Sequence, residues 1–207
     1  MREMMLIPIY PKPNLSKRNH EHKIYPYLLR DMIIDSPNKV WATDITYIPM
    51  SSGHAYLTAV IDWYSRKILS WQISTTLDAS FCVETLEAAV NKYGSPEIFN
   101  TDQGCQYTSN TFTQNLTDKG IKISMDGRGR ALDNIMIERF WGSLKREKIY
   151  INEYSTVEEL KSGVSEYIEF YNNERPHQSL KEHYPSEVYK NISIENYPWE
   201  KDKVCAA

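Results

Sequence analysis

The sequence predicts an α/β fold: a mixed sheet of five strands flanked by helices. Three observations carry this. Residues 40–75 hold three β-favouring runs joined by tight links. From residue 80 the apolar period lengthens to helical spacing. Short runs of strand length then alternate with helical ones, which requires a sheet with helices on its faces. The 207 residues suit one domain of roughly 150 residues with extensions.

Taken in order, residues 1–36 form a basic N-terminal arm. Pro8, Pro11, Pro13 and Pro26, interspersed with Asn14, Ser16 and Asn19, oppose regular structure over 8–26. Arg2, Lys12, Lys17, Arg18, Lys23 and Arg30 face only Glu3 and Glu21 in the first 30 residues. Residues 25–35 suggest a short helical turn that Pro37 stops. Residues 37–150 make the core. Val40–Met50 is the first strand, Ser51-Ser52-Gly53 a turn, His54–Asp62 the second strand and Lys67–Thr75 the third, an antiparallel meander. Cys82, Val83, Leu86, Ala89 and Val90 space a helix over 80–93, ended by Gly94-Ser95-Pro96.

Glu97–Asn100 is a short strand. Ser109 or Asn110 caps a helix to Lys119, closed by Gly120. Ile121–Ser124 is the last strand, and Asp126–Arg130 a glycine-rich basic loop. Asp133 is the expected N-cap of a helix over 134–147. Residues 151–190 form a helical extension, with Ser155 capping a helix to about Asn172 and Pro176 and Pro185 as punctuation. Residues 191–207 are a tail with little pattern.

Composition narrows the function. No apolar run approaches the roughly 18 residues of a membrane span, and the first residues hold no signal-peptide core, so no membrane partner and a cytoplasmic location are expected. Cys82, Cys105 and Cys205 are odd in number and far apart, against a disulfide scaffold or a cysteine zinc module. His20 and His22 read as polar surface residues. The net charge of −3 excludes a simple basic nucleic-acid coat but not local DNA binding.

Three acids stand out. Asp44 lies inside an apolar strand, where an unpaired charge is costly. Asp102 follows a short strand, a common site position in α/β sheets. Glu138 lies on a helix whose Ile135, Met136, Ile137 and Phe140 dock it on the sheet, so it is expected to point toward the sheet. Two readings stand: three surface acids among 27, or a hard oxygen-ligand site for Mg²⁺ or Mn²⁺, with room for two ions and in-line phosphoryl transfer.

At these residues the chain resembles the insertion-sequence DDE transposases of the OrfB type and, at fold level, retroviral integrase. Trp41-Ala-Thr-Asp-Ile-Thr-Tyr-Ile is similar to the family's first-Asp block, and Val60-Ile-Asp-Trp-Tyr-Ser-Arg-Lys-Ile-Leu-Ser-Trp to its second and third strands. Asn100-Thr-Asp-Gln-Gly-Cys-Gln-Tyr-Thr-Ser resembles the second-Asp block. Asp126-Gly-Arg-Gly-Arg-Ala-Leu-Asp-Asn-Ile-Met-Ile-Glu-Arg-Phe-Trp resembles the Glu block, and 35 residues separate Asp102 from Glu138. Tyr171-Asn-Asn-Glu-Arg-Pro-His-Gln-Ser-Leu with Pro185-Ser-Glu-Val resembles the C-terminal signature.

The resemblance implies an RNase H-like fold and Asp44, Asp102 and Glu138 as catalytic, metal-binding residues for Mg²⁺ or Mn²⁺, two ions in all. It implies DNA cleavage at element ends and strand transfer into target DNA, with no covalent protein–DNA intermediate. It also implies a homo-oligomer on DNA, a bacterial, nucleoid-associated location, and an upstream OrfA-type helix-turn-helix region, fused or as a partner. A truncated, inactive remnant or a non-specific DNA-binding fragment is the alternative.

Lys145, Arg146, Arg139, Lys148, Arg128 and Arg130 are expected at DNA phosphates, Lys145 foremost. Gln106 and Tyr107 are expected beside the DNA, with packing an equal reading for Tyr107. Asn134 is expected to support Glu138 or a metal-bound water across one helical turn. Gly104, Gly127 and Gly129 are either phosphate-approach positions or ordinary turns. Arg175 and His177 are suspected at the site edge through the resemblance. Trp41, Trp63, Trp71 and Trp141 read as packing residues. Cys105 stands where the family more often has a small polar residue, and a thiol beside metals can oxidise.

Overall fold

Strands covered on both faces need apolar residues in both alternating sets, and the central strands here have them. The computed structural model describes residues 23–127 and 131–190. In it β1 (Val40–Pro49), β2 (His54–Asp62), β3 (Ile68–Ser74), β4 (Ile98–Thr101) and β5 (Lys122–Met125) form one sheet in the order β3-β2-β1-β4-β5. β1, β2 and β3 pair antiparallel as the meander predicts, whereas β4 lies parallel to β1 and β5 parallel to β4.

Helices α1 (Ala79–Tyr93) and α2 (Asn110–Asp118) cover one face, and α3 (Ile135–Leu144) and α4 (Val157–Asn173) the other. A short α5 (Pro185–Tyr189) follows. Along β1 the pleat sends Val40 and Ala42 into the α3–α4 core, with Phe140, Trp141, Leu144, Val164 and Tyr171. Trp41 goes into the α1–α2 core, with Phe81, Leu86, Phe99 and Phe112. Burial of such side chains contributes about 1.5–3 kcal/mol each.

The structure departs from expectation in three places. Residues 25–35 make no helix. They run beside β5, where the Leu28 N–H donates to Ser124 Oγ (3.0 Å) and the Met125 N–H to the Pro26 carbonyl (3.5 Å). Partners at a sheet edge outweigh the costly nucleus of a short helix. Asp133 does not cap α3. Its Oδ2 accepts the Gly127 N–H at 2.9 Å, a tight turn over 131–134 leads into the helix, and Asn134 occupies the cap position without a side-chain cap bond. Thr156, one residue beyond Ser155, caps α4, because Glu159 three residues on completes a reciprocal capping box.

After Leu144 the helix widens into a π-helical turn over Lys145–Ile149, where the Tyr150 N–H reaches the Lys145 carbonyl at 2.9 Å. The C-terminal signature holds this region in place. Arg175 forks onto Glu147 through Nε (2.9 Å) and Nη2 (2.7 Å), and Tyr167 O–H donates to the same carboxylate at 2.7 Å. Asn172 receives the Ile68 N–H and donates to the Ile68 carbonyl, both at 2.9 Å. The His177 ring meets Tyr171 edge-on at 4.6 Å, and burial lowers its pKa to about 4. Arg175 and His177 are thus engaged within the fold.

Candidate metal centre and active site

Sheet register builds the site. On parallel β1 and β4, Ala42 lies opposite Asn100. Two residues further along each chain, on the same side of the pleat, come Asp44 and Asp102. β4 and β5 pair Asn100 with Ser124, and two residues beyond Ser124 is Asp126. Neighbouring strands lie about 4.8 Å apart. Three aspartates therefore stand in a row at one end of the sheet.

Helix α3 brings the fourth acid. Ile137, Phe140, Trp141 and Leu144 bury its inner face. Two side chains tie it to β1 beside Asp44: Trp141 Nε1 donates to Asp44 Oδ2 (3.1 Å) and Asn134 Nδ2 to the Thr43 carbonyl (3.1 Å). Asn134 is therefore spent on the backbone of β1 rather than on Glu138. Glu138 itself sits at the exposed rim of the site, further out than the apolar flanks suggested. Asp102 curls back to accept the Gly104 N–H at 2.9 Å, and a Cβ at position 104 would stand 2.9 Å from Asp102 Oδ1. Glycine there leaves room for the carboxylate.

The electrostatics follow from crowding. Burial pushes the Asp44 pKa up to about 7, and the charges of Asp102 and Glu138 add to it against the opposing Trp141 bond. Burial also raises Asp102, opposed by the Gly104 N–H, and raises Glu138. Burial lifts Asp126 to about 7 as well, with Asp133, Asp102 and Asp44 adding and Asn100 opposing. Among the described residues no Lys or Arg lies within ion-pair distance of Asp44, Asp102 or Glu138.

Two integrase core domain models match the chain, over residues 35–131 and 119–185. The transposase for insertion sequence element IS904 of Lactococcus lactis is 35% identical over 196 residues, which cover 90% of this chain and 78% of that protein. The chain belongs to the insertion-sequence DDE transposases. The putative transposase InsK for IS150 of Escherichia coli is 37% identical, the match covering 79% of this chain and 58% of that protein. The chain thus spans little more than half of that relative's length.

Among solved structures, the simian T-cell lymphotropic virus intasome matches with a TM-score of 0.69 at 19% identity, over 88% of this chain and 64% of that one. The HTLV-2 integrase catalytic core domain in complex with magnesium matches with a TM-score of 0.61 at 18% identity, over 74% of this chain and 97% of that one. This likeness is one of fold, and the fold is RNase H-like.

The donors of this transposase fit a hard cation: oxygen ligands only, crowded, with raised pKa values and, among the described residues, no ion-paired Lys or Arg. As they lie, no three acidic, histidine or cysteine groups among the described residues converge closely enough to hold one ion. Asp44 is influenced by both Asp102 and Glu138.

The residues expected at DNA divide into two sets. Gln106 and Tyr107 turn inward. Gln106 Nε2 donates to the Leu77 carbonyl (3.2 Å), and Tyr107 O–H, 1% exposed, lies among Thr43 and Thr58 (3.3 and 3.1 Å). A buried phenol has to find such partners inside. Lys148 is held by Glu166 at 2.6 Å.

Arg139 and Lys145 remain on the site's side of α3. Burial lowers the Lys145 pKa while the nearby Asp44 opposes it. Arg128, Arg130 and Gly129, like His20, His22 and Cys205, lie outside the described residues. Cys105 is exposed in the loop after Asp102, and burial raises Cys82 to about 12, leaving an inert thiol.

Two participants, Asp126 and Asn100, had not been singled out, whereas Arg146 belongs to the basic group expected at DNA. Arg146 lies over Gly142, where a Cβ would be 3.1 Å from its Nη1, and lines a surface cavity of about 540 Å³ with Ile135, Glu138, Arg139 and Ser143. Its spacing of eight from Glu138 was the available signal. Asp126 and Asn100 carried no signal without the strand register.

Proposed function

We propose that the chain is a transposase catalytic core that cuts DNA at the ends of an insertion element and joins them to target DNA. The observation that carries this reading is the register that aligns Asp44 with Asp102 beneath the helix bearing Glu138.

Asp44, Asp102 and Glu138 would hold two Mg²⁺ or Mn²⁺ ions. Such ions, when bound, supply Lewis-acid activation of the attacking oxygen and stabilise the leaving oxygen. The chain's own residues do the rest. Trp141 fixes the orientation of Asp44, and the Gly104 N–H that of Asp102. Arg139, Lys145 and Arg146 offer cations to the phosphates flanking the scissile bond.

In the first step water attacks the phosphodiester and a 3′-hydroxyl leaves. In the second that hydroxyl attacks a target phosphodiester and displaces its 3′-oxygen, so the number of phosphodiester bonds is conserved. Residues 37–150 form the catalytic unit and 151–190 the extension that holds α3 and β3. A basic arm over 1–36 and an OrfA-type helix-turn-helix region, fused or separate, would supply recognition of element ends. Joining brings two ends together, so the active form is a homo-oligomer on DNA in the bacterial cytoplasm at the nucleoid. No helix among the described residues is long and apolar enough to cross a membrane.

The test is incubation with linear DNA carrying the element's ends and a plasmid target, with Mg²⁺ or Mn²⁺ and with chelator. Metal-dependent nicked and joined products are expected, and none from Asp44→Asn. Unchanged products from Asp44→Asn overturn the mechanism. Hydrolysis without joining makes the chain an RNase H-like nuclease of another kind.

A further inference from the structure

Asn100 is wholly buried, two residues before Asp102 on the same strand, and its side-chain amide makes two hydrogen bonds. Nδ2 donates to Asp126 Oδ1 at 2.8 Å and to the main-chain carbonyl of Asp133 at 3.2 Å. Those acceptors belong to different elements. Asp126 directly follows β5, and Asp133 lies in the turn that enters α3. Further bonds close the same knot. The Asp126 N–H donates to the Thr101 carbonyl (2.9 Å), Gln103 Nε2 to the Asp126 carbonyl (2.8 Å), and the Gly127 N–H to Asp133 Oδ2 (2.9 Å).

Asn100 Oδ1 is buried without a hydrogen bond among the described residues, a cost that an apolar residue would avoid. What asparagine adds here is its N–H pair. Asn100 shares a short strand with Asp102. Asp133 immediately precedes Asn134, the N-cap residue of the helix that carries Glu138. A displacement at Asp133 therefore passes directly to Glu138.

We infer that Asn100 is a positioning residue, which with Asp126 as its acceptor sets the separation of Asp102 from Glu138 and so the metal affinity of the site. This rests on the metal-dependent reading above. Asp126 serves here as a hydrogen-bond acceptor and not as a metal ligand.

The full chain is titrated with Mn²⁺, followed by electron paramagnetic resonance of the free ion, and its thermal unfolding is followed by circular dichroism. Wild type binds, and Asp102→Asn does not. Asn100→Ala and Asp126→Ala weaken binding on the order of 10- to 100-fold while unfolding cooperatively. Asp126→Asn, whose amide oxygen still accepts from Asn100, binds close to wild type.

Unchanged affinity in Asn100→Ala overturns the inference alone. Equal losses in Asp126→Asn and Asp126→Ala overturn it by making Asp126 a ligand. Should Asn100→Ala not fold, the two Asp126 variants decide the matter. Wild-type protein that takes up no Mn²⁺ removes the metal-dependent reading first, and this inference with it.

Discussion

Asp44 and Asp62 lie on adjacent antiparallel strands, Asp44 mid-strand opposite Ala59 and Asp62 at the strand end opposite Trp41, and burial pushes both carboxyls up. Around Asp62 everything else pulls the other way. It accepts the Ser65 N–H (2.8 Å), the Ser65 O–H (2.6 Å) and the Asn38 N–H (2.8 Å), and Arg66 lies near. Around Asp44 the charges of Asp102 and Glu138 add to the rise, with the Ile45 backbone, the indole N–H of Trp141 and the more distant Lys145 opposing it. Burial alone does not separate a structural acid from a functional one. The supply of donors is what differs here: Asp62 is satisfied within the fold, and Asp44, in the proposed metal site, has fewer partners.

The largest expected effect is at the undersupplied acid. Asp44→Asn and Asp102→Asn should each lower cleavage and joining on the order of 10²–10³-fold or more, with an unchanged circular dichroism spectrum. A well-folded variant of either kind with full activity would break the contrast.

At the other acid, Asp62→Ala leaves buried donors without an acceptor and should cost about 3 kcal/mol in urea unfolding, with Mn²⁺ affinity unchanged.

The contrast also has a pH signature. Folded Asp44 and Asp126 keep their protons up to about pH 7, whereas the unfolded chain releases them near the ordinary value of 3.8. The folded state thus binds more protons across that window, and metal-free stability should fall as pH rises through it. Asp44→Asn, which cannot ionise, should flatten the fall in a series of melting curves, and added Mn²⁺ should raise the melting temperature at pH 7. A pH-independent midpoint would contradict the crowding.

The smallest effect is expected from Arg146→Ala. It should weaken binding to any duplex to a similar degree and reduce the salt-dependence slope by about one.

Much of this was legible in the sequence. The meander, the helical spacing from residue 80 and the alternation that follows all reappear, with element ends moved by a residue or so. Asp44, Asp102 and Glu138 were legible because each sits in a distinctive block. Their alignment was not, since nothing local records that Ala42 pairs with Asn100.

Asp126 looked like the start of a loop, and only the pairing of β4 with β5 puts it in the row. Gln106 was expected beside DNA and Tyr107 either there or in the packing, but nearness to Asp102 in sequence says nothing about direction. The chain turns after Gly104, and both side chains face inward. The helix expected over 25–35 failed for a related reason: its residues found partners on β5, far away in sequence.

The fork by which Asn172 takes both main-chain groups of Ile68 bears on how copies of the chain can meet. An edge strand with open N–H and C=O groups invites a strand from another molecule. At β3 that invitation is answered at Ile68 by Asn172, and at β5 by the segment around Pro26–Leu28. A strand from another molecule would find those main-chain groups already taken, at Ile68 on one border of the sheet and at Met125 on the other.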